Sequence, residues 1–341
     1  MKIKNILKGA VFGVFAVSGA AHAEVTLNAL FMAQAAYSED DIRNMTEDFK
    51  SANPGVNVNV ELVPYEALHD KIVLSQSANG YDVVLYDVIW PAEFAQYQVL
   101  ENVTDRVDAD TRKGILDGAW TTVEYDGSLY GMPWIADTKF LFYNKEMLKK
   151  AGFDTPPATW AELESQAKAI KDQGIVDYPL VWSWSQSEAA ICDYTTILSG
   201  MGGQFLDADG KPAFNTGGGL KALEYMVGTI DSGLTNPNSR EYLEEDVRRV
   251  FSSGQAAFAL NWGYMYNLAN DPAESQVAGH VGIAPAPGTA GVSTASAVNG
   301  SMGLGIPTKS EHKEEAWKYI QFLTSQKVQD QYAKLSLPVW E

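Results

Sequence analysis

The sequence DGSLYGMPWIADTKFLFYNKEML, residues 126–148, joins a glycine-containing turn to two successive apolar runs. Trp134 lies in the first run, Asp137 follows it, and the second run ends at Tyr143. An ordinary strand has about 5–6 residues, so the whole segment is too long for a single strand. We interpret it as an extended segment that leaves one lobe and enters another. A carboxylate and an indole at such a crossing would lie where a ligand is held between the lobes.

The segments that precede this crossing alternate between strand and helix patterns. Residues 25–32 are an apolar run suited to a buried strand, and residues 56–62 alternate apolar and polar side chains. Between them, Ser38 and Asp41 predict the start of a helix. Residues 81–88 are nearly all apolar, which is typical of a parallel strand buried on both faces. This order predicts an α/β fold with helices on both faces of a sheet.

The same alternation continues after the crossing. Thr159 and Glu162 predict a capping box at the start of a helix, and residues 217–231 have the apolar spacing of another helix. Residues 281–285 are interpreted as a further connecting segment. Residues 288–301, rich in Gly, Ser, Thr and Ala, predict a loop.

Residues 1–23 predict an export signal. Lys2, Lys4 and Lys8 precede an apolar run over residues 9–19, and Ala-His-Ala at 21–23 gives an A-x-A cleavage site. The apolar run is shorter than the roughly 20 residues of a membrane-spanning helix. No Cys directly follows Ala23 to carry a lipid. The mature chain is therefore expected to begin at Glu24, in the periplasm, without a lipid anchor.

The length of the chain predicts two lobes. Its 341 residues, even without the signal, exceed the roughly 250–300 at which a single core stops growing. We assign residues 24–135 and 285–308 to the N-terminal lobe, and residues 136–284 and 309–341 to the C-terminal lobe. Each lobe is then discontinuous in sequence, and the chain crosses between them more than once.

The net charge disfavours binding to nucleic acid or anionic membranes, and the cysteine content excludes an internal disulfide. The net charge is −18, with 43 Asp and Glu against 25 Lys and Arg, so the chain would repel nucleic acid and anionic membranes. The charge also favours a monomer. Cys192 is the only cysteine, so no internal disulfide can form. A small buried residue is a more common role for such a cysteine than a reactive thiol.

The sequence carries no recognised catalytic motif. HExxH, a cysteine pair and GxSxG are all absent, so neither a metal site nor a hydrolase triad is predicted. The glycine clusters at 200–203 and 217–219 lack the spacing of phosphate-binding loops. We predict no catalytic residue, metal or cofactor. A glycoside hydrolase with a pair of carboxylates is the one enzymatic alternative.

Aromatic side chains recur beside carboxylates and amides. Four such clusters are Asp87 with Trp90, Trp134 with Asp137, Trp182-Ser183-Trp184 with Glu188, and Asn261-Trp262-Gly263-Tyr264. Indole and phenol rings can stack on the apolar face of a sugar, while carboxylate and amide oxygens accept hydrogen bonds from its hydroxyls. Packing in the core is the alternative role for each tryptophan. None of the six Arg falls in these clusters, which disfavours an anionic ligand. A neutral sugar or polyol is predicted, with a polyamine as the alternative.

Five motifs in order resemble those of one family. They are residues 81–84 with Asp87 and Trp90, residues 126–145, 156–163, 251–258 and 303–307. Together they resemble the family 1 extracellular solute-binding proteins of ABC importers, the group that contains the maltose/trehalose-binding proteins. The resemblance covers nearly the whole mature chain, and residues 126–145 are its most specific part.

The resemblance implies a periplasmic binding protein fold, in which two discontinuous lobes close over a ligand by a hinge. It implies delivery of the ligand to permease subunits and no enzymatic activity. Asp87 and Trp90 would lie at the cleft edge of the N-terminal lobe, and Trp262 or Tyr264 would stack on the ligand from the other lobe. The complete set of predicted ligand-binding residues is Gln34, Asp87, Trp90, Trp134, Asp137, Trp184, Trp262, Tyr264 and Asn299.

The end of the chain departs from the family pattern. Relatives usually continue for several helices after a Leu-Pro motif, which here is followed only by residues 339–341. The resemblance therefore predicts a shortened C-terminal lobe with apolar surface exposed on it.

Overall fold

The computed structural model describes residues 25–33, 36–77, 80–332 and 339–340. The predicted export signal over residues 1–23 and the predicted ligand-binding residue Gln34 lie outside the described residues. The strands are β1 (Val25–Met32), β2 (Val56–Val63), β3 (Val83–Asp87), β4 (Glu124–Tyr125), β5 (Ser128–Leu129), β6 (Met132–Ile135), β7 (Lys139–Asn144), β8 (Leu180–Val181), β9 (Phe258–Trp262), β10 (Val281–Thr289), β11 (Ser293–Ser296) and β12 (Met302–Gly305). The helices are α1 (Glu39–Ala52), α2 (Tyr65–Ser75), α3 (Pro91–Gln96), α4 (Ala109–Gly114), α5 (Asp117–Trp120), α6 (Lys145–Lys150), α7 (Trp160–Asp172), α8 (Glu188–Gly200), α9 (Gly217–Asp231), α10 (Glu244–Ser252), α11 (Met265–Asn270), α12 (Lys313–Leu323) and α13 (Gln326–Tyr332).

Two five-stranded mixed sheets form the centres of two lobes. The first has the order β2-β1-β3-β12-β6, and the second has the order β11-β10-β7-β9-β8. In the first sheet β1 is parallel to β2 and β3, whereas β12 is antiparallel to both of its neighbours. Helices pack against the strands of both sheets, so the predicted α/β fold with two lobes is confirmed.

Local sequence explains where several of these helices begin. The Ser38 side chain accepts a hydrogen bond from the backbone N–H of Asp41 at the start of α1. At the start of α7, Thr159 and Glu162 form the reciprocal capping box that their spacing predicts. Both caps satisfy backbone donors that lack a partner within the helix. The two predicted helix starts are therefore confirmed.

The chain crosses between the lobes twice within its described part. Ile135 ends β6 in the first sheet, and Lys139 begins β7 in the second, so residues 136–138 form the first crossing. Residues 297–301 return from β11 to β12 and form the second crossing. The two crossings are bonded together, because the Gly300 N–H donates to the Asp137 carbonyl oxygen at 3.1 Å.

The interpretation of residues 281–285 as a connecting segment was wrong. They are the first half of β10, which pairs with β7 along its length, from Val281 opposite Asn144 to Pro285 opposite Phe140. The loop predicted over 288–301 also contains β11, which is antiparallel to β10. Gly, Pro and Ala have low strand propensity, so the local sequence did not indicate these strands. Pairing with β7 supplies the stabilisation that propensity lacks.

The assignment of residues 309–341 to the C-terminal lobe was also wrong. Helices α12 and α13 pack in the core of the first lobe, where Tyr319 lies against Phe49 of α1 with 4.8 Å between ring centroids. The Tyr319 and Thr46 hydroxyls are hydrogen-bonded at 2.6 Å, and Val339 is fully buried in the same core. Residues 285–296 lie in the second sheet instead of the first lobe. Packing against α1 determines which lobe contains α12, and the local sequence of α12 does not indicate that contact.

The second lobe has apolar side chains on its surface. On α9, Leu220, Leu223 and Val227 are each at least 38% exposed, at spacings that place them along one side of the helix. Within the described ranges, no helix has both the length and the apolar character that a membrane crossing requires.

Candidate ligand-binding cleft

A cavity of about 790 Å³ lies between the two lobes. The first lobe contributes residues that follow β1 and β3 and the first residues of α2, so the cavity lies at the carboxyl ends of parallel strands, where open α/β sheets commonly bind ligands. The second lobe contributes the first turns of α8 and α10 and the end of β9. Both crossings reach the cavity as well. Its polar and aromatic lining includes Tyr65, Glu66, Asp87, Asp137, Glu188, Cys192, Glu244, Glu245, Trp262, Tyr264 and Asn299.

Asp87 reaches the cavity from the end of β3. Its carboxylate accepts hydrogen bonds from the Tyr65 hydroxyl at 3.3 Å and from the Ile89 backbone N–H at 3.1 Å. The residue is 8% exposed, and this burial raises the pKa of Asp87 to about 7. The negative charge of Glu188, across the cleft, raises it further, while the two hydrogen bonds oppose the shift.

Asp137 lies in the first crossing and is bonded to the second lobe. Its Oδ1 accepts hydrogen bonds from the backbone N–H groups of Thr138 at 2.8 Å and Gly263 at 3.4 Å. Burial raises the pKa of Asp137 to about 7, although both hydrogen bonds favour the ionised form. The edge of the first lobe and the first crossing therefore each present a partly desolvated carboxyl group to the cavity.

Trp262 ends β9 and is the largest aromatic side chain in the cavity wall. Its indole N–H donates to Glu244 Oε1 at 3.3 Å, and Lys139 Nζ lies 5.1 Å from its ring centroid. A Cβ atom on Gly300 would approach the indole to 2.2 Å, so the second crossing passes directly against this ring. The indole is thus held at its N–H, at one face and at one edge.

The cavity wall is acidic. Six carboxyl side chains line it, namely those of Glu66, Asp87, Asp137, Glu188, Glu244 and Glu245. No Lys, Arg or His is found among the described lining residues. Two of the acids have ion-pair partners just behind the wall, since Glu244 lies 3.1 Å from Lys139 and Glu245 lies 2.9 Å from Arg248.

The structure brings five of the predicted residues to this cavity. They are Asp87, Asp137, Trp262, Tyr264 and Asn299. Each follows or ends a strand, or lies in a crossing, where a side chain is free to point between the lobes.

Three predicted tryptophans are not part of the described cavity lining, and their rings pack elsewhere. Trp134 is fully buried and stacks on Tyr37 with 4.7 Å between ring centroids. Trp184 stacks on Trp182 at 5.4 Å in the core of the second lobe. Trp90 packs on Tyr65 at 5.9 Å, behind the cavity wall. For these three residues, core packing is the role that the structure gives.

Sequence reasoning missed several acids and an aromatic residue of the cavity. Glu188 and Glu244 begin α8 and α10, where an acidic residue is ordinarily explained by the helix dipole. Tyr65 follows Pro64 at the start of α2, and it was not among the four aromatic clusters identified in the sequence. A signal for Glu188 existed, because it lies four residues after Trp184 in one of the aromatic clusters.

Cys192 lines the cavity, and its thiol lies in an environment that disfavours reactivity. Its thiol donates to Glu188 Oε1 at 2.5 Å, and the residue is 6% exposed. Burial raises the pKa of the thiol well above its usual range, with a smaller contribution from Glu188. Since the thiolate is the reactive form, this environment favours an inert thiol.

Comparison with known proteins identifies the family. The chain matches the bacterial extracellular solute-binding proteins over residues 34–330. It is 30% identical over 280 residues to a binding protein of Brucella abortus, covering 81% of this chain and 66% of that relative. The chain therefore spans about two thirds of the length of that relative.

Two solved structures show the same architecture. Maltose-bound MalE3 of Thermotoga maritima has a TM-score of 0.85 and 33% identity, covering 93% of this chain and 82% of its own. An ABC transporter solute-binding protein of Agrobacterium radiobacter, in complex with ribitol, has a TM-score of 0.82 and 27% identity, covering 94% of this chain and 81% of its own. On the extent of the sequence match and of the shared fold, this chain belongs to the bacterial extracellular solute-binding protein family.

Proposed function

We propose that this protein captures a neutral sugar or polyol in the cleft and delivers it to the permease of an ABC importer. The observation that carries the proposal is the pairing of one indole, Trp262, with the carboxyl groups of Asp87 and Asp137 around a single cavity. The ring offers an apolar face, and the carboxylates accept hydrogen bonds from hydroxyls. The maltose and ribitol complexes of the two solved relatives support this ligand class.

Hinge closure is the proposed mechanism. Asp87 belongs to the first lobe and Trp262 to the second, so a ligand that contacts both gains its full binding energy only when the lobes are together. Such a ligand binds the closed form more tightly and shifts the population toward it. The two short crossings, 136–138 and 297–301, are the segments that would absorb the rotation. The permease would then recognise the closed form.

Titration calorimetry with maltose, ribitol, D-mannitol and D-tagatose tests the proposal. We expect saturable binding of at least one of these compounds, and at least tenfold weaker binding by the Trp262→Ala variant. A neutral ligand forms no ion pair with the protein, so the affinity should change little between low and high salt. Absence of binding to all four, by protein with a cooperative melting transition, would contradict the proposal.

A polyamine is the second candidate ligand. The specific observation in its favour is the wall of six carboxyl side chains without a basic residue among the described lining. Ammonium groups could pair with these carboxylates and lie over the aromatic faces. Spermidine binding that weakens steeply with salt would select this candidate, because such contacts are screened. Equal affinity at low and high salt would reject it.

Export to the periplasm and cleavage after Ala23 belong to the same proposal. A soluble receptor must leave the cytoplasm to meet its ligand, and the positively charged start with its short apolar run is suited to that route. Intact mass measurement of the protein released from the periplasm would give a chain that begins at Glu24 and carries no lipid. Size-exclusion chromatography of that material would test the expected monomer.

A further inference from the structure

A buried cluster of charges lies directly behind the cleft. The side chains of Lys139 and Asp193 are both 0% exposed, and Lys139 Nζ lies 2.6 Å from Asp193 Oδ1. The Lys139 ammonium also donates a hydrogen bond to Ser183 Oγ at 3.0 Å. Glu244, which is 18% exposed and lines the cavity, is 3.1 Å from the same ammonium. One buried cation therefore connects the core of the second lobe to its cleft wall.

The charged state of this cluster is maintained by its members. Burial alone would lower the pKa of Lys139, but the carboxylates of Asp193 and Glu244 raise it above its usual value. The ammonium therefore stays charged in the interior. Buried ion pairs are an uncertain source of stability, because desolvation offsets most of the attraction. Replacement by apolar residues can even stabilise a protein. A role in fixing geometry explains the cluster better than a role in stability.

The geometry that the cluster fixes is that of Trp262. Glu244 Oε1 forms an ion pair with Lys139 Nζ and accepts a hydrogen bond from the Trp262 indole N–H. The Lys139 ammonium also lies over the indole, 5.1 Å from the ring centroid, in cation–π geometry. Because Lys139 is fully buried, it occupies the inner face of the ring and leaves the other face to the cavity. Gly300 lies against one edge of the Trp262 ring and leaves no room for movement in that direction.

We propose that Lys139, held by Asp193, is a positioning residue that fixes the indole of Trp262 in the orientation that stacks on the ligand. The inference rests on the proposed function, since it assigns the cavity-facing side of Trp262 to a sugar ring. Lys139 itself does not line the cavity and acts through Trp262 and Glu244. A ring held in place before the ligand arrives loses little side-chain freedom on binding, and such preorganisation increases affinity.

The first test measures the indole without any ligand. In the Lys139→Met/Asp193→Asn variant both charges of the fully buried pair are removed, so neither is left unpaired in the core, while Glu244, which is 18% exposed, stays at the cleft wall. We expect the indole ¹⁵N–¹H resonance of Trp262, assigned by its loss in Trp262→Phe, to shift and broaden. A resonance identical to that of the wild-type protein would overturn the inference. This result does not depend on the identity of the ligand.

The second test measures binding of maltose, a ligand with flat ring faces, in a double-mutant cycle. We expect the Lys139→Met/Asp193→Asn variant to bind maltose about tenfold more weakly, and Trp262→Ala to lose at least as much. When the substitutions are combined, the loss should stay within about twofold of that in Trp262→Ala alone, because both act through one ring. Losses that multiply would show a general structural effect and would overturn the inference.

A matched control separates this effect from the loss of any ion pair. Lys168 and Asp172 form an exposed pair on α7, with Nζ and Oδ2 2.7 Å apart, and Lys168→Met/Asp172→Asn makes the same chemical change there. Maltose affinity should be unchanged in this control. If wild-type protein binds none of the sugars and polyols, the proposed function fails, and the indole resonance still decides whether Lys139 positions Trp262.

Discussion

Asp137 is both part of a crossing and part of the cavity wall. Its carbonyl oxygen accepts the Gly300 N–H of the other crossing, while its carboxylate accepts the Gly263 N–H of the second lobe. The carboxyl group also faces the cavity, where a ligand hydroxyl can donate to it. The proposed ligand contact and the joint between the lobes therefore involve a single residue.

The Asp137→Ala variant should bind ligand more weakly by about 1.5–3 kcal/mol, the range for a hydrogen bond to a charged group. The backbone bond to Gly300 remains, so the melting temperature should change little. Calorimetry with the best ligand of the sugar and polyol panel measures the first effect, and a circular dichroism melt the second. Asp172→Ala, on the exposed side of α7, is the control. Unchanged affinity would leave Asp137 with a role in the hinge only.

The stability of the ligand-free protein should depend on pH through Asp87 and Asp137. An Asp carboxyl in an unfolded chain has a pKa of about 3.9, whereas burial raises both of these pKa values to about 7. Between about pH 4 and pH 7 the folded protein binds more protons than the unfolded chain, so the free energy of unfolding falls as the pH rises. One pKa unit corresponds to about 1.4 kcal/mol, which limits the loss to about 4 kcal/mol per carboxyl.

Thermal melts at pH 5 and pH 8 measure this effect. The wild-type protein should melt at the lower temperature at pH 8, and Asp87→Asn/Asp137→Asn should lose most of the difference. Equal differences in the two proteins would mean that both carboxyls are already ionised in the folded state at pH 5.

At the residue scale, the sequence predicted the kind of side chain better than its direction. Asp137 and Trp262 follow the pattern of an acid or aromatic residue beside a strand end, and both reach the cavity. Trp134 has the same local pattern but belongs to β6, a strand whose four residues are all buried. Whether an indole faces a core or a cleft depends on the helices packed above the strand, and these are distant in sequence.

At the element scale, the capping box of α7 offers a direct measurement. Thr159→Ala removes the side-chain acceptor of the Glu162 N–H and should lower the free energy of unfolding by about 1 kcal/mol. Urea denaturation gives this value. Thr216→Ala is the matched control, since Thr216 occupies the same position before α9 but its side chain makes no capping bond. Equal losses at both positions would show that the hydrogen bond is not the source of the effect.

The second crossing can be tested at Gly300. In Gly300→Ala the new Cβ would lie 2.2 Å from the Trp262 ring, so the crossing or the ring must move. Overpacking of this kind typically costs about 1–3 kcal/mol of stability, and we expect ligand affinity to fall about tenfold with it. Gly228→Ala on α9, where the Cβ would contact nothing within 4 Å, is the control and should be neutral or stabilising. Wild-type affinity in Gly300→Ala would show that Trp262 tolerates displacement.

The sequence predicted elements well where the signal is local. The hairpin of β4 and β5 turns through Asp126 and Gly127, both with positive φ, which is the preferred chemistry of a two-residue hairpin turn. The strand β10 was missed because Pro285 and Gly288 reduce strand propensity, although its partners hold it in the sheet. A strand that is stabilised mainly by pairing with its neighbours is not indicated by the strand propensities of its own residues.

At the scale of the whole molecule, ligand binding should stabilise both lobes together. A ligand at 100 times its Kd that binds only the folded state raises the free energy of unfolding by about 2.7 kcal/mol. Because the site includes residues of both lobes, we expect one melting transition that moves upward as a unit. Differential scanning calorimetry with and without the tightest ligand tests this. A shift confined to one of two resolved transitions would place the ligand on a single lobe.

The division of the chain into lobes was the least accessible part of the fold. The two-lobed α/β class follows from chain length and from the β-α-β order, both visible in the sequence. The return of α12 to the first lobe depends on contacts such as Tyr319 with Thr46, which lie 273 residues apart. Contacts at that separation are decided by three-dimensional packing, so single-sequence patterns do not report them.

The bond between Gly300 and Asp137 has a kinetic consequence. Points near an axis of rotation sweep short arcs, so Asp137 and its neighbour Asn299 would keep almost the same place whether the lobes are apart or together. Cavity residues that lie farther from the crossings would travel longer paths and arrive last. A ligand would first be recognised near the axis and then be enclosed from the rim. Substitutions near the axis should therefore lower the association rate of the ligand. Substitutions at the rim should raise its dissociation rate.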